Sequence, residues 1–548
     1  MKKIIISMKK TVCTLLCIMI IASLCACSRG KTTSSDSDTG TKDTTPSNSA
    51  SQGYKYTGSA PISGEKVKIS ILTSNGASKI LGFADMPWWQ EVLRRANVEL
   101  IMEEIDSSSY NDVVKPRLAA AVDLPDIVLL SGRDDDMSYI NSGIFIELTG
   151  YYNKYGYNLK KQFEEHKKLK AELTTPDDKI FYVPYIYTTA NNSRCVMINN
   201  DYADALGMKI SDIKTLDDYY NYLVAVKNTD LNGNGDKSDE IPLFMRTGMI
   251  QLWGMYWGLD IANWGYQLGD DGNVFCAYKD KRYLEYLTYM NKLYKEGLLY
   301  SEFATANYDM QSALFSKNQI GSVLHFISNC TSYSQVIDSD WDINNDRPIM
   351  EPLVPPLQGP HGDQCVYGRD SLGTFFGITN KCKNPEATFC FIDYLYSQEA
   401  GELTWYGIEG TDYNIIDKKR VFTDVYLKNA ENYRDKCGYN FSGLPSYQLG
   451  GGYMVKECDA VKEASNTLSK YIMNPTIPFS FKLKEENEVL QSYAADLTTY
   501  FSENLIAFIM GTRPLSEWDD YVAAMEKMHL SDVITVHQAA VDRAASVK

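Results

Sequence analysis

Val67-Lys68-Ile69-Ser70-Ile71-Leu72 alternates apolar and polar residues, and this pattern predicts a strand with one buried face. Further along the chain, a helical segment from Trp88 to Ala96 leads to a second predicted strand over Val98 to Met102. A helix over Tyr110 to Val122 follows, and then the apolar strand Leu124 to Leu130. This order of strand, helix, strand, helix and strand is typical of a parallel α/β sheet.

The composition is that of a large globular protein with an acidic surface. The 548 residues carry a formal net charge of −16, and 44% of them are hydrophobic while 23% are charged. These values exclude collagen-like, coiled-coil, wholly disordered and polytopic membrane classes. The negative charge would repel a phosphate backbone, so we expect no nucleic-acid partner.

The N-terminus predicts an exported lipoprotein. Four lysines within Met1 to Lys10 precede an uncharged apolar stretch from Thr11 to Ala26, as in a secretory signal peptide. Leu24-Cys25-Ala26-Cys27 resembles the lipobox of bacterial lipoproteins, which implies that Cys27 carries the lipid. Ser28 to Gly53 has no large apolar side chain and is predicted to be a flexible tether. The alternative is an ordinary signal peptide with two incidental cysteines.

Eight cysteines lie beyond the tether, without a C-x-x-C pair and without histidine at zinc-ligand spacing. Disulfides and buried thiols are both compatible with their scattered positions, so no pairing is predicted.

Residues 230–240 have the composition of a calcium-binding loop. Asp230, Asn232 and Asn234 place oxygen-bearing side chains at the first, third and fifth positions, and Gly235 stands sixth. Asp236 would bind through its backbone carbonyl, and either Asp239 or Glu240 would close the site; the sequence leaves this choice open. A helix over 216–227 capped by Thr215, and a strand over 241–244, predict a structural site rather than a sensor. The alternative is a turn that binds no ion.

Four segments resemble extracellular solute-binding proteins of carbohydrate ABC transporters, in particular the large lipoproteins of Gram-positive bacteria. The segments are DLPDIVLL at 123–130, INNDYADALGMKISDIKTLDDYYNYLVAVKNTDLNGNGDKSDEIPL at 198–243, YGIEGTDYN at 406–414 and IMGTRPLSEWDDYVAAMEKM at 509–528. The resemblance implies an α/β, two-lobed periplasmic-binding-protein-like fold with discontinuous lobes and a hinge. It also implies a carbohydrate ligand held between the lobes.

The expected organisation follows from the N-terminal pattern and from this resemblance, with chain crossings near 190–195, 350–355 and 401–407. It comprises a lipoprotein signal peptide (1–26), a lipid anchor and tether (27–60), the first part of lobe 1 (61–192), the first part of lobe 2 with the calcium loop (193–352), the second part of lobe 1 (353–402) and the second part of lobe 2 (403–548).

Stacking and hydrogen-bonding side chains in predicted cleft loops are the candidate ligand-binding residues. Pyranose C–H faces stack on aromatic rings, and sugar hydroxyls bind charged planar groups. Trp253 and Trp257 would share a face if 251–259 is helical. The candidates are Trp88, Asp134, Tyr185, Trp253, Trp257, Arg369, Tyr406 and Glu409.

The expected function is the capture of a sugar or oligosaccharide outside a Gram-positive cell, and its delivery to the permease subunits of an ABC importer. The protein would act as a lipid-anchored monomer at the cell membrane, with structural calcium and no catalysis. No G-x-S-x-G or H-E-x-x-H motif occurs. The alternatives are a lipid-anchored glycoside hydrolase, which would need only two carboxylates, a lipoprotein that binds a peptide or another solute, and an adhesion or sensor protein.

Overall fold

The structure is a computed structural model of the full chain. It describes residues 55–75, 86–130, 136–165, 170, 172–187, 193–246, 248–262, 265–343, 345–367, 371–423, 443–447, 449, 457–473, 477 and 481–546.

Strands form in the described part of the chain where β-branched and aromatic residues cluster. They are β1 (Val67–Asn75), β2 (Val98–Asp106), β3 (Ile127–Leu130), β4 (Tyr182–Tyr187), β5 (Arg194–Asn199), β6 (Tyr266–Leu268), β7 (Val274–Cys276), β8 (Ser322–Phe326), β9 (Met350–Pro352), β10 (Ser371–Ile378), β11 (Tyr413–Ile416) and β12 (Lys419–Phe422).

The first sheet has five strands in the order β2-β1-β3-β10-β4. β1 pairs in parallel with both β2 and β3, with Val67 opposite Val98 and Ile71 opposite Ile127. The helices Pro87–Ala96 and Tyr110–Ala120 make the two crossovers. The parallel α/β unit predicted from the sequence is therefore confirmed. β10 extends it with an antiparallel pairing to β3, and β4 pairs antiparallel with β10.

A second sheet has the order β8-β5-β9, and both of its pairings are antiparallel. Its central strand β5 is buried on both faces. Val196 and Ile198 belong to one apolar cluster, and Cys195 and Met197 belong to another. The first sheet has a separate cluster of its own, which includes Ile69 and Val128. Two sheets with separate cores make the α/β two-lobed architecture that the family resemblance implies.

Helices cover the sheets and form most of the C-terminal part of the chain. The α-helices are Pro87–Ala96, Tyr110–Ala120, Asp136–Asn141, Thr149–Tyr155, Tyr157–Glu165, Asn200–Ala205, Leu216–Lys227, Lys281–Lys295, Tyr308–Phe315, Asn329–Ile337, Pro385–Leu395, Gln398–Tyr406, Asp459–Leu468, Lys484–Met510, Trp518–Lys527 and Leu530–Ser546. The 3₁₀ helices are Ile210–Asp212, Ile250–Trp257, Ala277–Lys279, Ser469–Tyr471 and Leu515–Glu517.

The packing of residues into the two cores differs from the expected lobe boundaries. Leu353 and Tyr367 pack in the second core, although 353–402 was assigned to lobe 1. Trp405 and Tyr413 pack in the first core, although 403–548 was assigned to lobe 2. The proline-rich segment after Met350 pairs with β5 as β9, so it extends the second sheet before the chain returns to β10.

The start of the globular part also differs from the expected tether of 27–60. Tyr56 is buried, and its hydroxyl donates a hydrogen bond of 2.7 Å to Oδ2 of Asp393. Asp393 also accepts from the backbone N–H of Leu159 at 2.9 Å. These bonds fix the chain to the first core ahead of β1. Among the described residues, no helix is both long and apolar enough to cross a membrane.

The described cysteines do not form disulfides. Burial raises the pKa of the Cys195 and Cys276 thiols to about 12, so both are protonated and unreactive at neutral pH. The free thiols are those of Cys195, Cys276, Cys330, Cys365, Cys382, Cys390 and Cys458.

Candidate functional site

The loop 230–240 is positioned by the helix that precedes it. Thr215 caps Leu216–Lys227: its hydroxyl accepts from the N–H of Asp218 at 3.1 Å, and the Asp218 carboxylate accepts from the N–H of Thr215 at 3.0 Å. This reciprocal pair satisfies two amide groups that the first helical turn leaves free. The capped helix predicted here is confirmed, and it brings the chain directly to Asp230.

Asp230 holds the first half of the loop in a tight turn. Its carboxylate accepts from the N–H of Gly233 at 2.9 Å and from that of Gly235 at 2.8 Å. Gly235 has φ of +90°, a left-handed conformation in which a Cβ would be strained. The sixth-position glycine therefore has the backbone role that the loop pattern requires.

The side chain of Asp239 lies against the two asparagines of the loop. Its Oδ2 accepts a hydrogen bond of 2.7 Å from Nδ2 of Asn234, and its Oδ1 accepts one of 3.3 Å from Nδ2 of Asn232. Gln319 also donates to Oδ2 at 2.6 Å. The side chains of three predicted ligands thus meet at one place.

Glu240 closes the loop from the protein side. Its Oε1 accepts from the backbone N–H of Leu231 at 2.7 Å and from that of Asn232 at 3.2 Å. The residue is only 6% exposed, and its Oε2 is buried without a hydrogen-bond partner in the described chain. A buried carboxylate oxygen without a partner is costly, and a bound cation would remove that cost.

No group of three or more His, Cys, Asp or Glu in the described ranges is arranged to hold a metal ion. Such a group consists of these four residue types alone, whereas the predicted ligand set of the loop also includes two asparagine side chains and the backbone carbonyl of Asp236, and calcium takes amide and carbonyl oxygens as ligands. The oxygen-rich donor set and the unpartnered Oε2 of Glu240 fit a hard cation.

The segment after the loop is extended but does not form a regular strand. Ile241, Leu243 and Phe244 make isolated parallel bridges to Ile320, Leu299 and Val323. The predicted strand over 241–244 is interrupted because Pro242 has no N–H to donate to a ladder. The segment still joins the edge of the second sheet beside β8.

Two connections between the sheets leave from the same end of the second sheet. Residues 188–192 lead from β4 to Arg194, and residues 368–370 lead from Tyr367 to β10. The N–H of Arg194 donates to the carbonyl of Tyr367 at 2.7 Å, so the two connections are joined where they enter the second sheet. We call this end, defined by Arg194, Phe326 and Tyr367, the hinge edge.

The predicted tryptophans of 251–259 lie in the second core. Trp253 has no exposed surface, packs 5.5 Å from the ring of Tyr219, and donates from its indole N–H to Sδ of Met245 at 3.1 Å. Trp257 is 2% exposed and packs 5.5 Å from Tyr286. Ile250–Trp257 is a 3₁₀ helix. Neither ring presents a free face, and a ligand contact for either remains a prediction.

Trp88 and Tyr185 belong to the first core. Trp88 is 1% exposed and lies 5.5 Å from the ring of Trp89. Tyr185, on β4, is 2% exposed. Their predicted ligand contacts are untested, and in this conformation both rings are covered by protein.

Tyr406 and Glu409 differ in exposure. The ring of Tyr406 is covered by the guanidinium of Arg420, 3.7 Å from its centroid. Glu409 is exposed, in a turn where the N–H of Gly410 donates to the carbonyl of Tyr413 at 2.7 Å.

Of the eight predicted ligand-binding residues, Asp134 and Arg369 lie outside the described residues, as does the predicted lipid attachment site Cys27.

Polar residues at the hinge edge were missed by sequence reasoning. Asp260 is 1% exposed and accepts from the hydroxyl of Tyr367 at 2.5 Å. Arg246 and Tyr308 also lie near this edge, stacked on each other. No spacing rule joins these positions, since they come from separate segments. The one available signal was an arginine directly after the apolar segment 241–245.

Comparison with known proteins agrees with this architecture. The family of bacterial extracellular solute-binding proteins matches residues 83–402. The fructooligosaccharide ABC transporter substrate-binding protein FusA of Streptococcus pneumoniae is 26% identical over 453 residues, which are 77% of this chain and 80% of that protein. The polygalacturonan/rhamnogalacturonan-binding protein YtcQ of Bacillus subtilis is 26% identical over 337 residues, 59% of this chain and 63% of its own.

A solved structure has the same fold. The alginate-binding protein AlgQ2, crystallised without calcium ion, superposes with a TM-score of 0.71 at 22% identity, over 88% of this chain and 99% of its own. The family match covers more than half of the chain, and it includes strands of both sheets and the loop 230–240. The chain therefore belongs to the family of bacterial extracellular solute-binding proteins.

Proposed function

We propose that this protein is the solute-binding component of an ABC importer and that it captures an oligosaccharide between its two lobes. The observation that carries the proposal is the arrangement of two sheets with separate cores joined at one hinge edge. The family membership and the oligosaccharides named for FusA and YtcQ support a carbohydrate ligand.

Closure is the physical step that would make binding useful for transport. Each lobe has its own core, so the lobes can move relative to each other as rigid bodies. A ligand that contacts both lobes stabilises the closed state by its difference in affinity for the two states. The permease subunits would then distinguish the closed, loaded protein from the open one.

Titration calorimetry on the purified full-length protein tests this proposal. The panel should hold chain length constant and vary the sugar: fructooligosaccharides, galacturonan oligomers, xylo- and manno-oligosaccharides, and a tripeptide. Binding of at least one oligosaccharide, returned unchanged after long incubation, is the expected result. Shortened sugar would favour the glycoside hydrolase, and binding of the peptide alone would favour the non-sugar alternative.

We propose in addition that the loop 230–240 holds a structural calcium ion. Asp230, Asn232 and Asn234 would bind through side chains, and Asp236 through its carbonyl. The support is the contact of the Asn232 and Asn234 side chains with Asp239, together with the unpartnered Oε2 of Glu240. When bound, the ion would supply charge compensation for the carboxylates and fix the loop to the helix before it.

We also propose that the protein is attached to the outer face of the cell membrane through a lipid on Cys27 and acts there as a monomer without catalysis. The support is the lipobox and the polar segment that follows it. A tether keeps the lobes close to the permease and leaves them free to close.

A further inference from the structure

Arg246 is a half-buried cation without a carboxylate partner. Its Nε donates to Oε1 of Gln311 at 3.0 Å, and its Nη2 donates to Nε2 of His325 at 2.9 Å. Both partners are uncharged. Gln311 is a neutral amide, and burial beside two arginines lowers the pKa of His325 to about 3. Within the ranges described above, Arg246 forms no ion pair with a carboxylate, although the chain carries a net charge of −16.

The neutral partners hold the guanidinium in one orientation. Since arginine can only donate, Nε2 of His325 accepts, and the side-chain amide of Asn329 lies beside the other ring nitrogen, 2.6 Å from Nδ1. Gln311 is held by a 2.5 Å bond to the hydroxyl of Tyr333. Gln311 and His325 are 2% and 1% exposed, so both supporting side chains are shielded from solvent.

An exposed aromatic ring covers the guanidinium. The ring centroid of Tyr308 lies 3.6 Å from Cζ of Arg246, and Tyr308 is 60% exposed. Because Tyr308 is so exposed, its free face and its hydroxyl can contact a ligand without disrupting packing in the core. Stacking on the arginine orders the ring before a ligand arrives.

The register of the second sheet places Arg246 at the hinge edge. Phe244 pairs in parallel with Val323, so Arg246 and His325 each stand two residues further along the same direction. In the antiparallel pairing of β8 and β5, Phe326 is opposite Arg194, the first residue after the chain arrives from β4. Arg246 therefore lies at the end of the sheet from which the chain crosses to the other lobe.

We infer that Arg246, with Tyr308, forms a binding position for the carboxylate of an acidic sugar. The inference rests on the proposed carbohydrate function and narrows the ligand to oligosaccharides that contain a uronic acid. A fixed guanidinium binds a carboxylate through two parallel N–H···O bonds, and an adjacent aromatic ring accepts the C–H face of the same pyranose. A neutral sugar would leave the charge of Arg246 uncompensated.

Calorimetry with matched ligands tests the inference. The wild-type protein is titrated with trigalacturonate, with its methyl ester and with the neutral trisaccharide kestose, all at one fixed, saturating calcium concentration because uronates bind calcium themselves. The expected result is that trigalacturonate binds at least ten-fold more tightly than its ester, and that the difference shrinks at high salt.

Variants then assign the effect to the residue. Arg246→Gln should weaken trigalacturonate binding by about ten- to a hundred-fold. Its affinity for the methyl ester should stay within about three-fold of the wild-type affinity. Arg246→Lys keeps the charge but not the planar fork, and should give an intermediate loss. Arg94→Gln is the matched control, because Arg94 is an exposed arginine already paired with Glu91 at 2.7 Å.

Each other outcome has a definite meaning. Equal affinity for the acid and its ester in the wild-type protein overturns the inference without any variant. This test therefore remains valid even if Arg246→Gln fails to fold. Binding of kestose alone overturns the inference and leaves the proposed function intact. If no oligosaccharide of either panel binds, the proposed function itself fails.

Discussion

The phenol of Tyr367 donates a hydrogen bond of 2.5 Å to Oδ1 of Asp260, a carboxylate that is 1% exposed in the second core. Burial and the nearby carboxylate raise the pKa of Tyr367 well above its ordinary value, so the phenol is protonated and donates. Tyr367 is the last described residue before the connection to β10. The bond therefore fastens the hinge edge to the interior of one lobe.

Tyr367→Phe should lower the free energy of unfolding by about 1–3 kcal/mol, because it leaves a buried carboxylate oxygen short of a donor. Chemical denaturation of the two proteins measures the difference. Tyr308→Phe removes a hydroxyl from an exposed ring and should change stability by less than about 0.5 kcal/mol. Equal stability of Tyr367→Phe and wild type would contradict this role for the bond.

Chelation should lower the melting temperature, because calcium would bind the folded loop alone and stabilise it by mass action. Asp230→Asn and Glu240→Gln should reduce the difference between melting curves recorded with calcium and with excess chelator. Asp271→Asn is the control, since Asp271 holds a similar surface turn, at 2.9 Å from the N–H of Asn273, outside the loop. Identical melting curves with calcium and with chelator would contradict the proposed calcium site.

Acidification from pH 7 to pH 5 should destabilise the protein through two histidines, the buried His325 and the half-buried His537. Burial, with nearby cations, lowers the pKa of His325 and of His537 to about 3. Both stay neutral in the folded state while the unfolded state takes up protons below its pKa near 6.5, so stability is lost as pH falls through this window. Each histidine should contribute about 2 kcal/mol of that loss.

The histidine contribution is isolated by comparing variants at both pH values. His325→Gln and His537→Gln should each lose about 2 kcal/mol less than wild type between pH 7 and pH 5. The same pH slope in all three proteins would mean that neither histidine is kept neutral by burial.

Cys27→Ala should abolish lipid attachment, because the modified thiol would be absent. Metabolic labelling with a radioactive fatty acid, followed by fractionation of cells and medium, measures this. The variant should be unlabelled and either released to the medium or left unprocessed in the membrane fraction. Cys25→Ala is the control and should remain labelled, and undiminished labelling of Cys27→Ala would contradict the proposed anchor.

The first sheet could be predicted from the sequence because its signals are local. The alternation in Val67–Leu72 and the apolar run to Leu130 each report which faces of one strand are buried. The capped helix before Asp230 is equally local, since a capping box joins residues three positions apart. Such features depend on neighbours in the chain, so they can be predicted before the fold is known.

The polar hinge edge could not be predicted, since it depends on which distant segments the topology brings together. Arg246, Tyr308 and His325 lie in three different segments: the bridge of Phe244 to Val323 aligns Arg246 with His325, and Tyr308 stacks on Arg246 from a separate helix. The spacing of Trp253 and Trp257 predicts a shared face, but it does not show that the indole N–H of Trp253 donates to Met245 inside the core. Residue type alone does not distinguish a core tryptophan from a ligand-binding one.

Small-angle X-ray scattering with and without a saturating oligosaccharide identified by calorimetry tests closure of the two lobes on the sugar most directly. The account predicts a smaller radius of gyration in the loaded protein, with the change following the binding isotherm and disappearing when a non-binding sugar is used. An unchanged radius of gyration at full occupancy would contradict capture between closing lobes.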